Sequence, residues 1–201
     1  MEVKMAPDIE KLNEVLRAEA DALLWKKGLH PLLEQYGQIH VSGSYALKLM
    51  VWRDLDIYLV TEDLPLCAFF HMGGQLADLL TPTRMHFRNE RVAKTEGLPE
   101  GLYWGIYLGN EREGAWKIDV WVVSPAQFMV LDAFRTNVES RLTASARRKI
   151  LEIKALCWRK PGYRRTFSSQ DIYEAVLNGE VDDLISFDAY LQRVKGCTLE
   201  A

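Results

Sequence analysis

Two carboxylates lie two residues apart in an apolar stretch in the first third of the chain, Asp54-Leu55-Asp56. Because alternate residues of an extended strand point to the same side, Asp54 and Asp56 would project together while Leu55 faces a core. Neighbouring carboxylates repel each other, and folding alone gives no reason to pair them. A hard divalent ion such as Mg²⁺ takes oxygen ligands, often one or two carboxylates together with substrate phosphates. The pair therefore indicates a metal site.

The dipeptide Gly43-Ser44 precedes the acids by a spacer of nine residues, 45–53. Ser44 is suited to cap a short helix from Tyr45 to Met50, whose free backbone N–H groups and positive end would attract an anion. Gly43 permits close approach of backbone or ligand. Lys48 follows one helical turn after Ser44 and can lie on the same helix face. We predict that Gly43, Ser44 and Lys48 bind phosphate groups.

A third acid, Asp119, lies in the strand-like stretch 116–123, where Lys117 and Asp119 share one face. An acid inside such an apolar strand is costly unless it is paired or bound to a ligand. Taken singly, these features also suit solvated acids at a strand edge and an ordinary turn. Their order and spacing together resemble the signature of the DNA polymerase beta-like nucleotidyltransferase superfamily. The resemblance covers residues 38–123.

The resemblance implies a fold and an activity. The fold is a minimal, antibiotic-type nucleotidyltransferase domain. Asp54, Asp56 and Asp119 would be the catalytic residues and the ligands of Mg²⁺, with Mn²⁺ as the alternative ion. The activity is transfer of a nucleoside monophosphate from a nucleoside triphosphate to an acceptor hydroxyl, with release of pyrophosphate. A small molecule, a protein side chain and an RNA end all remain open as acceptors.

The chain departs from the family pattern at two places, and two further functions stay open. Leu47-Lys48 and Trp52-Arg53 stand where members often carry Arg-Gly and a serine before the first acid. These departures, and the apolar surroundings of the acids, allow a catalytically inactive relative that acts as a nucleotide sensor or as a toxin–antitoxin-type partner. The same carboxylates would also suit metal-assisted hydrolysis of phosphodiesters.

The composition is that of a globular protein and excludes some classes. The 201 residues are 48% hydrophobic and 26% charged, which is ordinary, and the net charge of −3 disfavours sequence-independent coating of nucleic acid. No run approaches the roughly 20 apolar residues of a membrane span. The N-terminus has no apolar signal core, and three scattered cysteines do not form a zinc or disulfide pattern. We expect a cytoplasmic protein that does not bind membranes.

The apolar periodicity predicts an α/β (α+β) fold. A mixed sheet of about five strands with helices packed on it would form domain 1–123, and helices alone would form domain 124–201. The strands that carry Asp56 and Asp119 should be neighbours, and Leu102–Leu108 should run antiparallel to Trp116–Val123. A helix over Leu64–Leu80 contains Gly73-Gly74, which suits either close packing or a kink.

Several other features remain open between two interpretations. Basic residues crowd 141–165, which suits either a solvated face that pairs with the acidic tail or an electropositive wall for a triphosphate or RNA. Trp52 and Trp121 suit core packing or stacking on a base. His40 suits packing in its strand or contact with a nucleotide. Oligomeric state and base preference leave no signal in the sequence.

Overall fold

The computed structural model describes residues 8–200. Within this range the chain forms an α+β fold with a five-stranded mixed sheet and C-terminal helices, which confirms the predicted fold class. The strands are β1 Gln38–Val41, β2 Asp54–Val60, β3 Arg84–Asn89, β4 Leu102–Tyr107 and β5 Lys117–Val123. The α-helices are α1 Ile9–Asp21, α2 Leu29–Leu33, α3 Gly43–Ala46, α4 Leu66–Leu80, α5 Glu90–Ala93, α6 Pro125–Arg141, α7 Ala144–Cys157, α8 Ser169–Leu177 and α9 Leu184–Lys195.

The described residues divide into two compact units that interleave along the chain. The sheet unit consists of residues 17–48 and 53–136, and the helical unit consists of residues 8–16, 49–52 and 137–200. The division into domains 1–123 and 124–201 stays a prediction. None of the helices within residues 8–200 is long and apolar enough to cross a membrane.

The sheet has the strand order β1-β2-β5-β4-β3. Strands β2 and β5 are neighbours, and β5 pairs antiparallel with β4, as the sequence predicted. The parallel direction of β2 and β5 is seen only in the structure. The sequence pattern after Pro82 predicts a strand over Arg84–Val92, but β3 ends at Asn89. The cause is Glu90, which is buried, pairs with Arg88 at 2.6 Å and accepts the Thr95 N–H at 2.9 Å, so the chain turns into α5 there.

One face of the sheet carries the apolar core. Burial alternates along β2, and Leu55, Ile57 and Leu59 are fully buried. They pack with alternate residues of β5 and with the inner face of α4 in one cluster. This packing fixes which side of β2 and β5 is left for polar residues, because a strand cannot turn over without exposing its apolar side chains.

The two glycines of α4 have different surroundings. A Cβ on Gly73 would lie 2.7 Å from Cζ2 of Trp104, whereas a Cβ on Gly74 would meet nothing within 4 Å. Gly73 is therefore a close packing point against the sheet, which decides between the two interpretations left open by the sequence.

These surroundings predict opposite effects for the same substitution at adjacent positions. Gly73→Ala should lower the free energy of unfolding by about 1–3 kcal/mol, because the added methyl group overlaps a buried ring. Gly74→Ala should raise it by about 0.5–1 kcal/mol, because alanine loses less backbone entropy in a helix. Urea denaturation followed by circular dichroism measures both. Shifts in the same direction would contradict the assigned packing.

The helical unit is organised by caps and by a buried lysine. Thr143 caps α7 through its hydroxyl. The sequence Ser168-Ser169-Gln170-Asp171 predicts a capping box, and Ser168 with Asp171 forms it at the start of α8. The sequence also predicts Ser140 as the cap of a helix that runs to about Trp158, and this is wrong, because α6 continues to Arg141. Lys154 is buried and donates to the Leu49 carbonyl oxygen at 2.7 Å. Burial of the ammonium is thus offset by hydrogen bonds.

Much of the basic segment is paired with acids in the same unit. Ion pairs join Arg147 to Glu10, Lys149 to Asp182 and Lys160 to Glu200. These contacts favour the solvated, paired face over an electropositive wall.

Two tryptophans of the helical unit, Trp52 and Trp158, are almost completely buried and stack at 5.6 Å between ring centroids. Trp52 therefore belongs to a core.

Candidate functional site

The three predicted acids share one face of the sheet. In the parallel pairing of β2 with β5, Asp54 is opposite Lys117 and Asp56 is opposite Asp119. Asp54 and Asp56 are two residues apart, as are Lys117 and Asp119, so all four side chains point away from the apolar core. Neighbouring strands lie about 4.8 Å apart. The structure therefore places Asp54, Asp56 and Asp119 on one face of two adjacent strands. That they form the catalytic and metal-binding set stays a prediction.

Lys117 is a member of this cluster that the sequence did not single out as functional. Its side chain is 2% exposed, its ammonium is ion-paired with Asp119, and Nζ lies 3.7 Å from Oδ1 of Asp54. The strand alternation already placed Lys117 on the face of Asp119. Its contact with Asp54 depends on the register between β2 and β5, which the sequence does not contain.

Tyr103 of β4 orients Asp119. Its hydroxyl donates to Oδ1 of Asp119 at 2.7 Å, which leaves Oδ2 to the Lys117 ammonium. The ring reaches Asp119 by leaning over Gly105, which is opposite Asp119 in the β4–β5 pairing. A Cβ at Gly105 would overlap the Tyr103 hydroxyl. A glycine at this position thus keeps open the path from Tyr103 to the acid.

Aromatic residues cover the same face beyond the acids. Tyr103 and Trp121 are buried and pack together with Phe128 of α6 in a small second cluster. Burial, followed by the negative charges of Asp56 and Asp119, raises the pKa of Tyr58 well above its ordinary value. The Tyr58 hydroxyl therefore stays protonated in the neutral pH range. His40 lies 4.1 Å from Phe128 between ring centroids, which favours packing over contact with a nucleotide.

The Gly43 turn lies directly against the acids. Gly43 has φ +58°, and a Cβ there would overlap Oδ2 of Asp56. The Ser42 N–H donates to the Asp56 carbonyl oxygen at 2.8 Å, which ties the turn to β2. Only glycine permits both the left-handed backbone and the close approach of the carboxylate.

Two details of the predicted phosphate corner are wrong. The helix is α3, Gly43–Ala46, and its N-cap is Ser42, so Ser44 lies inside the helix and is buried. Lys48 follows the end of α3 with a left-handed backbone (φ 58°) and an exposed side chain, so it does not share a helix face with Ser44. A single turn has few aligned peptide dipoles, and its attraction for an anion is small. That Gly43, Ser44 and Lys48 bind phosphates stays a prediction.

Arg53, which precedes the first acid where the resembled pattern often has a serine, has a structural role in the sheet unit. Its guanidinium makes a two-pronged pair with Glu19, with Nε 2.6 Å from Oε2 and Nη2 2.8 Å from Oε1. It also donates to the Gly114 carbonyl oxygen at 3.1 Å. The hydrogen bonds with Glu19 raise the pKa of Arg53 further. Arg53 is thus held by contacts within the sheet unit.

The three carboxylates would attract a cation, and the ammonium of Lys117 already lies beside two of them. Three carboxylates supply the oxygen ligands that Mg²⁺ or Mn²⁺ takes. The Lys117 ammonium contacts two of them, so the space between them accepts positive charge. Among residues 8–200, no three His, Cys, Asp or Glu side chains are close enough together to form a ready metal site. The donor atoms match those that a divalent cation takes, and that Asp54, Asp56 and Asp119 hold such an ion stays a prediction.

Comparison with known proteins adds information on the fold. No protein-family model matches the chain, and no curated protein matches it. Among solved structures the chain is similar to a cytoplasmic RNA terminal U-transferase, with a TM-score of 0.52 and 14% sequence identity. The likeness is one of fold. It covers 87% of this chain and 54% of the other, so this chain spans about half the length of that structure. It supports, loosely, the nucleotidyltransferase fold implied by the residues.

Proposed function

We propose that the protein is a metal-dependent nucleotidyltransferase. It would transfer a nucleoside monophosphate from a nucleoside triphosphate to an acceptor hydroxyl and release pyrophosphate. The observation that carries the proposal is the placement of Asp54, Asp56 and Asp119 on one face of two adjacent parallel strands, beside the Gly43 turn. The fold likeness to a terminal U-transferase supports it independently of these residues.

Each residue of the cluster has a role in this proposal. Asp54, Asp56 and Asp119 would hold Mg²⁺, which would neutralise charge that develops on the phosphate oxygens. The acceptor oxygen forms a bond to the α-phosphorus, the bond from that phosphorus to the bridging oxygen breaks, and pyrophosphate leaves. Asp119 would accept the hydroxyl proton, and Tyr103 would hold Asp119 in position for it. Backbone N–H groups at Gly43 and Ser44, with Lys48, would bind the β- and γ-phosphates.

The structural neighbour suggests where to begin with substrates. It is described as an RNA terminal U-transferase, so UTP and an RNA 3′ end are the first pair to test for this chain. The neighbour is also described as cytoplasmic, and a cytoplasmic location stays part of our proposal. Incubation with labelled ATP, GTP, CTP and UTP and each acceptor class, with pyrophosphate as the readout, would identify both substrates.

A catalytically inactive relative is the second candidate, and Lys117 is the observation that favours it. A buried ammonium paired with two of the three acids can hold them permanently without a metal. Such a protein would serve as a nucleotide sensor or as a toxin–antitoxin-type partner. It would bind nucleotide or a partner protein but release no pyrophosphate with any acceptor, and this outcome separates the two candidates.

The proposal predicts that Asp54→Asn combined with Asp56→Asn abolishes Mg²⁺-dependent nucleotide binding. Two neutral amides are poor ligands for a hard cation, so the affinity for Mg²⁺-bound nucleotide should fall about 100-fold or more. Calorimetric titration of each nucleoside triphosphate with Mg²⁺ measures the change. Asp78→Asn, at an exposed position of α4, is the matched control and should bind as the wild type does. Unaltered binding by the double variant would remove the basis of the assignment.

A further inference from the structure

We propose that Lys117 competes with the metal for Asp54 and Asp119 and thereby sets the affinity of the site for divalent cations. This inference rests on the proposed function, since it concerns the same three acids. It assigns a role to a residue for which neither the motif nor the fold likeness supplies one.

The position of Lys117 is fixed by its backbone and not by its charge. It is the first residue of β5, opposite Asp54 of β2 and Tyr107 of β4. Its N–H donates to the Arg53 carbonyl oxygen at 3.0 Å, and its ammonium lies 5.9 Å from the centre of the Tyr107 ring. The backbone of β5 therefore places the Lys117 side chain so that its ammonium lies among the acids.

The charges explain why the ammonium stays there when no metal is bound. Asp54, Asp56 and Asp119 on one face repel each other, and the surrounding side chains limit access of water. A charge in such a place is costly unless an opposite charge offsets it. Lys117 provides one positive charge for two of the acids. The protein can therefore fold with this acidic face intact before it meets a metal.

The same contacts must be lost when a divalent ion binds. The ion needs oxygen atoms of Asp54 and Asp119, which the ammonium of Lys117 contacts. Two positive charges that share the same carboxylates lie close together and repel each other. Only molecules in which the ammonium has withdrawn can bind the ion, so the apparent affinity is the intrinsic affinity multiplied by the fraction of such molecules. If about one molecule in ten is in this state, the apparent affinity falls tenfold, and removal of Lys117 recovers it.

Binding of Mn²⁺ alone, without nucleotide, tests the inference directly. Electron paramagnetic resonance of free Mn²⁺ in titrations of the full chain gives the dissociation constant without any enzymatic turnover. Lys117→Met keeps the length and apolar part of the side chain and removes the charge, and Lys117→Gln is a second neutral variant should the first not fold. Both should bind Mn²⁺ at least tenfold more tightly than the wild type. Lys117→Arg retains the charge and should not gain affinity.

A matched control separates local competition from a change in net charge. Lys27→Met removes the same charge from an exposed position in the sheet unit and should leave Mn²⁺ affinity unchanged. Metal-free thermal unfolding is the second readout, in which Lys117→Met should be less stable than the wild type and should regain stability when Mn²⁺ is added.

The outcomes distinguish this inference from the proposed function. If the wild type and the neutral Lys117 variants bind Mn²⁺ equally, the competition is refuted while a metal-dependent function stands. If only the neutral variants bind, Lys117 blocks the site, so the competition is supported and a metal-dependent function for the natural chain fails. If neither binds, both fail.

Discussion

Gly43→Ala is expected to weaken the binding of Mg²⁺-bound nucleotide by about 10- to 100-fold, the size of effect that disturbing the support of a metal ligand has on affinity. A methyl group at this position would occupy the space of Oδ2 of Asp56. The turn is tied to β2 by the hydrogen bond from Ser42 to Asp56, so it cannot move away without displacing the strand. The carboxylate must give way instead. Calorimetric titration with nucleoside triphosphate and Mg²⁺ measures the loss.

Gly28→Ala isolates the contribution of the backbone. Gly28 also has a left-handed backbone (φ 91°), but a Cβ there would meet nothing within 4 Å. Both variants should lose about 1–2 kcal/mol of stability, the cost of this conformation for an L-residue with a side chain. Only Gly43→Ala should lose nucleotide binding. Wild-type affinity in a folded Gly43→Ala variant would show that Asp56 does not bind the metal.

The strands of the site and their neighbours in the sheet were the most predictable part of the fold. The alternation of Leu55, Ile57 and Leu59 with polar residues has a period of two, which only a strand with one buried face explains. An acid within the apolar stretch 116–123 gave the second strand of the site. Placing the acids together predicts that these two strands are neighbours, which the structure confirms; that they run parallel is known only from the structure.

The one-turn helix α3, which begins at Gly43, was predictable only in outline. Two serines flank Gly43, and either could cap a helix, so the choice depends on the backbone angle of the glycine and on the tie from Ser42 to β2. A single turn gains little from local propensity, because nucleation is unfavourable and packing decides its length. This is why Ser44 and Lys48 were assigned to the wrong places in the helix.

The contacts of Lys117 could not be predicted from the spacing of residues in the sequence. Its place in the strand fixed the face on which it lies, but the ion pairs with Asp54 and Asp119 depend on a pairing with a strand about 60 residues earlier in the chain. The same holds for Tyr103, which reaches Asp119 because Gly105 leaves space between them. Contacts of this kind depend on register and on a missing side chain in a neighbouring strand, and neither produces a local motif.

Asp119→Ala should lower the free energy of unfolding of the metal-free protein by about 3 kcal/mol. Removal of one partner leaves a buried ammonium with less opposing charge, which costs about 3–5 kcal/mol in buried ion pairs. The lower end applies because Asp54 remains 3.7 Å from Lys117 Nζ. The Tyr103 hydroxyl also loses its acceptor. Urea denaturation in the presence of a chelator measures the change, and Asp78→Ala, at an exposed position, should stay within about 0.5 kcal/mol of the wild type.

A double-mutant cycle shows whether the cost comes from the ion pair. If it does, Asp119→Ala should cost less in a Lys117→Met background than in the wild type, because no ammonium is then left without its partner. We expect the two costs to differ by about 1–3 kcal/mol, the range found for residues in direct contact. Equal costs in both backgrounds would mean that Asp119 stabilises the fold through Tyr103 alone. In that case Lys117 would contribute nothing to holding the acid cluster together, and the acids would need another source of positive charge to remain on one face of the sheet.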